Sequence, residues 1–423
     1  MKILITHVYS SDNKGDAAIL SVLLSELRRV FNRPSLVISS MDPPGHKQYD
    51  NTKIASSFIF LDIIQHKDLM AKLAASIWTI ISTTAVAYAE RHRIAASWLL
   101  NKQDRAVYLE YAEADLIVCI GGGYIRSSGH FSDNLNIVML LHPLLLAIIL
   151  RKRIYLHSQS FGPFTNSFQR ILVRWVLSKI KLIEVREDVS YAALRTLGIP
   201  ATSLVRTIDA GFLSTSSSKR GNERKLHHSK DSLRIGITVR QWFRSTAQSN
   251  FEAEIGKFID AITTENDFEV VFIPQVTSAV LHDDDRLVAK RIAKRLKNPN
   301  RVNILTMNYD YNEIKSLYAN LDLMIGTRFH SVIFALTSYV PSIAIEYEHK
   351  TRGIMEDIGL GKWVIPIESV RAEELYKMFM ELKSEQAVYT RHLVEILPGY
   401  LSKAREAAEL IRDAYNRDTA ASK

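Results

Sequence analysis

Cysteine is almost missing: Cys119 is the one thiol in 423 residues, and a lone cysteine excludes an internal disulfide framework. Its setting, Leu116-Ile117-Val118-Cys119-Ile120, is apolar, which reads as core packing rather than chemistry. Nucleotide signatures are missing as well. No Gly-Lys-Ser/Thr closes a phosphate-binding loop, no Gly-x-Gly-x-x-Gly marks a dinucleotide fold, and no His/Cys set has convincing metal spacing, so neither a metal nor a resident cofactor is expected. The opening Met-Lys-Ile-Leu-Ile-Thr-His has neither a long apolar core nor a small-residue cleavage site, so the expected compartment is the cytoplasm.

Long apolar spans are also lacking. Leu73–Ala89 is uncharged between Lys72 and Glu90, and Leu135–Leu150 ends on Arg151-Lys152-Arg153. Both fall short of the roughly 20 residues of a bilayer crossing, and the second contains Asn136, His142 and Pro143. They read as buried or partly interfacial helices, which leaves peripheral contact with the inner face of the membrane open. The formal charge of +9 favours an anionic partner: a phosphorylated small molecule, a membrane leaflet or nucleic acid. Nucleic acid is disfavoured, because the chain has no zinc-finger spacing, no RNA-binding aromatic motif and no basic low-complexity tail.

What is present is alternation. Ile3-Leu4-Ile5 reads as a strand, and Leu20, Leu23, Leu24, Leu27, Val30 and Phe31 recur at helical spacing after it. Strands follow near Leu36–Ser39, Leu116–Ile120, Ile154–His157 and Leu182–Arg186, separated by helices near Asp68–Leu100, Asn134–Leu150, Ser167–Leu177 and Val189–Leu197. Residues 214–232, with Ser-Thr-Ser-Ser-Ser and His227-His228, carry no apolar period and read as a linker. The pattern then restarts with strands at Arg234–Val239, Glu269–Ile273, Val302–Leu305, Leu321–Ile325 and Ser342–Ile345. Strand–helix alternation implies parallel sheets. The expected fold is therefore α/β, with two Rossmann-like doubly wound domains, 1–213 and 233–423, facing a cleft.

Ligands of such sheets collect beyond the carboxyl ends of the strands, so the loops there hold the candidates. Asn13-x-Gly15-Asp16 follows the first strand, where glycine allows close backbone approach and a helix start attracts anions; the plainer alternative is that Asp16 caps the helix. Gly121-Gly122-Gly123 could cradle a phosphate or touch substrate, though three glycines alone say little. Gln159 could bond a sugar hydroxyl or serve only the turn before Gly162-Pro163. Arg186 could grip a carboxylate or phosphate, or pair locally with Glu187 or Asp188, and Arg240 follows the same logic. In Gly326-Thr327-Arg328-Phe329-His330-Ser331, fixed positive charge, a histidine and a hydroxyl meet at a strand-to-helix turn. Lys350 and His349 come at the next strand end, and His282-Asp283-Asp284-Asp285 reads as the charged start of a helix.

Taken together, Asn13-x-Gly15-Asp16, the glycine triplet, Gln159-Ser160-Phe161-Gly162-Pro163, Val185-Arg186-Glu187, Ile273-Pro274-Gln275, Gly326-Thr327-Arg328-Phe329-His330 and Ile345-Glu346-Tyr347-x-x-Lys350 resemble the polysaccharide pyruvyl transferase family. Two departures are visible. The family tends to have Asp-Pro where this chain has Asp209-Ala210-Gly211, and a glycine in the segment that here reads Ser338-Tyr339-Val340 before Pro341.

The resemblance implies a GT-B-like fold and phosphoenolpyruvate as donor. It also implies ketal-forming transfer to a saccharide or lipid-linked glycan acceptor in exopolysaccharide or cell-surface glycan synthesis. The first domain would lie on the acceptor side, with Asn13, Gly15, Asp16, Gly121, Gly122, Gly123 and Gln159, and Gln275 would join them from the second. It implies essential roles for Arg186, His330 and Lys350, with Arg328 beside them, while Ser331, Arg240 and Gly326 complete the donor or anion side. Two rivals stand beside it: a nucleotide-sugar glycosyltransferase on the same architecture, and a non-catalytic scaffold of a membrane polysaccharide assembly.

Overall fold

A computed structural model covers the chain and describes residues 1–46, 49, 51–58, 69–127, 133–214, 232–265, 268–278 and 283–421. Nearly all of the expected linker, and His282, lie outside the described residues.

The chain divides into two units. The first comprises Met1–Ser11, Ile19–Ala210 and Ser402–Lys423; the second comprises Asp12–Ala18 and Gly211–Leu401. In the first, β1 (Lys2–Val8), β2 (Ser35–Ser40), β3 (Thr52–Ser56), β4 (Leu116–Cys119), β5 (Gly122–Ile125), β6 (Arg153–Phe161), β7 (Leu182–Val185) and β8 (Leu204–Arg206) form one sheet. Its order is β3-β2-β1-β4-β6-β7-β8, β5 adds to β6, and every pairing is parallel. Among the described residues six α-helices lie between the strands: α1 (Lys14–Val30), α2 (Leu69–Arg91), α3 (Lys102–Glu113), α4 (Asp133–Ile149), α5 (Ser167–Leu177) and α6 (Asp188–Thr196).

The second unit contains β9 (Leu233–Thr238), β10 (Phe268–Phe272), β13 (Val302–Ile304), β14 (Leu323–Gly326), β15 (Ser342–Glu346) and β16 (Val364–Pro366), all parallel, in the order β13-β10-β9-β14-β15-β16. A short antiparallel ribbon, β11 (Thr277–Ser278) with β12 (Asp283–Asp284), leads into α8 (Asp285–Ala293). The remaining helices are α7 (Ser245–Glu265), α9 (Tyr311–Tyr318), α10 (Phe329–Thr337), α11 (His349–Asp357), α12 (Ala372–Ser384) and α13 (Gln386–Ala420). Both sheets are doubly wound, as the alternation requires. The inner strands β4 (Leu-Ile-Val-Cys) and β14 (Leu-Met-Ile-Gly) are wholly buried, which is why they read as unbroken apolar runs.

Three expectations need correction. The split at 213/233 gave the whole C-terminus to the second domain, yet residues 402–423 belong to the first unit. Glu409 pairs with Arg29 at 2.9 Å, Asp418 pairs with Lys181 at 2.6 Å, and the Tyr155 hydroxyl donates to Asp418 at 2.9 Å. In the other direction, residues 12–18 group with the second unit. Finally, the helix expected to run to Leu100 stops at Arg91. The amides of Arg93 and Ile94 turn back to the carbonyls of Glu90 and Ala89, with Arg93 left-handed at φ 66°, a closure that ends a helix whatever the apolar pattern beyond it. Among the described residues no helix is long and apolar enough to cross a membrane.

Candidate active site

In each doubly wound sheet the strand order reverses beside the first strand, between β1 and β4 in one unit and between β9 and β14 in the other. Loops leaving these strands diverge and open a crevice. In the second unit, Thr238 ends β9 in register with Gly326 ending β14. The Thr238 hydroxyl accepts the amides of Thr327 (2.9 Å) and Arg328 (3.3 Å), and its oxygen lies 2.8 Å from Ser331 Oγ. Ser331 in turn donates to the Arg328 carbonyl at 2.5 Å. The buried Ser331 therefore ties the turn together rather than facing a ligand. Gly326 is required by space, since a Cβ there would meet Val332 Cγ2 at 2.7 Å and Ser331 Oγ at 2.9 Å.

Arg328 is not the open cation expected. Its buried guanidinium bonds Asp285 at 2.5 and 3.0 Å and Asp283 at 2.6 Å. Burial disfavours its charge, but these two carboxylates more than restore it and hold its proton affinity above the ordinary arginine value. Burial pushes the Asp285 carboxyl up, against the pull of Arg328 and of the Gln275 amide at 3.0 Å. The acidic run 283–285 thus does two jobs: Asp284 caps α8 through the Arg286 amide at 3.0 Å, and its neighbours hold Arg328. The Arg240 and Lys350 side chains are 14% and 15% exposed, against 9% for Arg328. The Arg240 guanidinium lies 4.2 Å from the Tyr347 ring centre and 3.9 Å from Asp283; the Lys350 ammonium lies 5.7 Å from the same ring and 5.4 Å from Phe329. Glu348 pairs with Lys350 at 2.7 Å.

His330 enters α10 one residue after Phe329, their rings 5.0 Å apart. Residues 12–18 cover it. Asn13 bridges to Val276, the Lys14 amide donates to the Gln275 carbonyl at 2.9 Å, and the Lys14 ammonium donates to Asn308 at 2.7 Å. This seats Gly15 against the imidazole so closely that a Cβ would lie 2.0 Å from Nδ1. Here the need for glycine is a matter of contact, not of backbone angle. The helix cap is Asn13 rather than Asp16: Asn13 Oδ1 accepts the Gly15 amide at 3.1 Å, and its Nδ2 donates to Asp16 at 2.8 Å. Gln275 is buried, its Nε2 donating to the Tyr318 hydroxyl at 2.9 Å, so it braces this unit rather than lining an acceptor site.

In the first unit the expected contacts close on themselves. Gly121 lies against the Ser158 carbonyl, 2.9 Å from where its Cβ would be, while Gly122 and Gly123 are taken into β5, so the triplet serves backbone packing. Gln159 is fully buried, and its amide NH2 is spent on the Ile120 carbonyl and the Tyr124 hydroxyl. Cys119 is core, as expected: burial pushes its thiol up to about 12, and its sulfur lies 3.2 Å from His7 Nδ1. His7 donates from Nε2 to the Leu140 carbonyl (2.7 Å) and stacks on Tyr124, and burial lowers it to about 4. Arg186 is 1% exposed; it bonds Ser160 at 2.7 Å and Asp209, with Glu187 at 3.5 Å. Of the local partners expected, Glu187 is near but secondary and Asp188 pairs with Arg206 at 2.8 Å; the main partner, Asp209, was not foreseen.

The structure therefore gathers Gly15, Arg240, Gly326, Arg328, His330, Ser331 and Lys350 around one sheet end of the second unit. It places Arg186, Gln159 and the glycine triplet in the first. Sequence reading missed Thr238, although it sits at a strand end; it noted Tyr347 and the acidic run 283–285 but not that Tyr347 faces Arg240 and Lys350 or that Asp283 and Asp285 hold Arg328. Among the described residues no group of three His, Cys, Asp or Glu side chains could hold a metal ion.

Comparison with known proteins adds to this geometry. The family described as polysaccharide pyruvyl transferase matches residues 13–349. The chain is 25% identical over 385 residues to the amylovoran biosynthesis protein AmsJ of Erwinia amylovora, covering 88% of this chain and 89% of that one. Among solved structures, it resembles the UDP-GlcNAc 2-epimerase of Neisseria meningitidis bound to UDP-GlcNAc (TM-score 0.56, 13% identity, 99% and 100% of the two chains). It also resembles Anabaena Alr3699/HepE in complex with UDP and glucose (TM-score 0.57, 14% identity, 98% and 100%). At these identities the likeness is one of fold, and the shared fold is the GT-B-like pair of Rossmann-type sheets.

Proposed function

The chain belongs to the polysaccharide pyruvyl transferase family, and from that premise we propose that it moves the pyruvyl group of phosphoenolpyruvate onto two hydroxyls of one saccharide. The product is a cyclic ketal, formed with release of phosphate in exopolysaccharide assembly. The observation that carries the reading is the cluster at the ends of β9, β14 and β15. There His330, held in place by Gly15, stands next to Phe329, and Lys350 and Arg240 share the Tyr347 face. A dianionic donor with a second, carboxylate anion needs cations that can exchange partners, and a proton carrier with its own seat.

In the proposed reaction a proton reaches the methylene carbon of the donor, which becomes methyl, and the adjacent carbon becomes electrophilic. One sugar hydroxyl adds there, the C–O bond to phosphate breaks with its electrons on phosphate, and the second hydroxyl closes the ring. Of the two hydroxyl protons, one replaces that delivered to the methyl group and the other leaves on phosphate. His330 carries the proton, Lys350 and Arg240 stabilise the departing charge, and Arg328 positions the turn through Asp283 and Asp285. This assignment moves Arg328 from donor binding to positioning.

Donor binding tests the reading without an acceptor. Phosphoenolpyruvate at about 100 times its Kd adds roughly 2.7 kcal/mol of stability to a protein that binds it only when folded. The expected result is a raised Tm with phosphoenolpyruvate, reduced in Lys350→Met, and no shift with UDP-sugars. A shift with UDP-sugars alone would favour a glycosyltransferase; the structural neighbours are seen with UDP-GlcNAc and with UDP and glucose.

A further inference from the structure

Helix α2 is apolar on its outer side as well as its inner one. Met70, Ala74, Ile77, Trp78, Ile81 and Tyr88 recur at helical spacing on its exposed side, while the buried side carries Ser76, Thr79 and Thr83 beside Val86 and Ala87. The inward hydroxyls have partners: Thr79 donates to Asp104 at 3.0 Å, and Thr83 lies 2.9 Å from His142 Nε2. A helix facing water keeps its outer side polar. Trp78 is 66% exposed and Ile81 56%, and just past the helix Trp98 is exposed to 66% with its indole N–H satisfied by the Ala95 carbonyl. Helix α5 repeats the theme with Phe168, Ile171 and Trp175 at i, i+3 and i+7. Both helices pack on α4, so the two apolar faces belong to one side of the first unit.

Charge selects the occupant. From residue 70 to 105 the outward charges are Arg91, Arg93, Lys102 and Arg105, whereas Glu90 and Asp104 turn inward to Tyr108 and Thr79. Between 163 and 181 there is no acid at all, and Arg170, Arg174 and Lys179 are interleaved with the apolar side chains. Two copies meeting face to face would bring basic rims together, since such an interface pairs like with like. Tryptophans amid lysine and arginine beside an apolar stripe match the headgroup level of an anionic bilayer.

We propose that α2, the segment 94–99 and α5 dock this chain peripherally on an anionic lipid surface, with α2 lying in the plane of the headgroups. This does not depend on the donor or the reaction. The test is flotation of the full chain with vesicles of phosphatidylcholine alone and of phosphatidylcholine mixed with phosphatidylglycerol, with light scattering in solution alongside. The wild type is expected to float with the mixed vesicles only, and less at high salt. The pair Trp78→Glu, Ile81→Glu should bind about tenfold more weakly or worse, given the apolar burial it removes, with an unchanged Tm. Absence of flotation, or flotation undiminished in the pair, overturns the proposal. So does a wild-type dimer that ignores vesicles and that the pair dissociates, which would make the face an interface between copies.

Discussion

Towards the carboxyl ends of β1, β4, β6 and β7 the polar side chains bond one another: His7 to Leu140 and Cys119, Gln159 to Ile120 and Tyr124, and Arg186 to Ser160 and Asp209. At the ends of β9 and β14 the arrangement differs. One arginine, Arg328, is spent on two carboxylates, but Arg240 and Lys350 are held by aromatic faces and single acids, and His330 is fixed by shape against Gly15. Two sheets with the same winding can thus finish their strand ends differently, one with its arginine paired to buried acids and one with cations held by aromatic rings and single acids. Topology marks both places; only the side chains say which can do chemistry.

Four experiments can break or sharpen that contrast. The largest effect is expected at Arg186: with its partners Asp209 and Glu187 buried, Arg186→Ala should cost about 3–5 kcal/mol in denaturant unfolding. A loss of activity at unchanged stability would instead make Arg186 part of the chemistry. Next comes acid. Burial holds His7 and His142 near 4, below the ordinary 6.5, so the unfolded chain binds more protons between these values. Stability is then whole above pH 6.5 and falls towards pH 4, by roughly 3 kcal/mol for each histidine. Thermal unfolding across that range should show the fall, and His142→Gln should roughly halve it; a flat wild-type profile would mean that burial does not hold these two imidazoles neutral.

Gly15→Ala should come third. The added methyl must displace the His330 ring, and a misplaced catalytic group costs on the order of 100-fold in turnover. Wild-type turnover in this variant would remove the shape argument for His330. The smallest effect is expected at Tyr339, left-handed at φ 59° in the segment where the resembling family favours glycine. Tyr339→Gly should raise stability by up to about 1 kcal/mol, measured as Tm, by relieving that backbone.

Much of this was legible in the chain. The buried strands announce themselves as apolar runs, and amphipathic helices such as Ser167–Leu177 show their period. The short strands Thr52–Ser56, Leu204–Arg206 and Val364–Pro366 were missed, because a few residues at or near a sheet edge carry too little pattern. The candidate loops were singled out because strand ends are where such sheets bind. What sequence could not show was partnership. Nothing local to Arg328 tells that carboxylates more than forty positions away neutralise it, nor that Gln159 faces Tyr124 instead of a sugar. The exposed apolar face of α2 was half visible: its apolar content was noted, but which side meets water follows only from the packing of Thr79, Thr83, Val86 and Ala87.

The most direct test is turnover. Purified protein is incubated with phosphoenolpyruvate and a panel of bacterial glycans, and phosphate release is followed together with the mass of the glycan. The expectation is phosphate and pyruvyl-ketal product in equal amounts for the wild type, and a fall of about 100-fold or more in His330→Ala. Undiminished ketal formation by His330→Ala would contradict the placement of the chemistry at the second switch point.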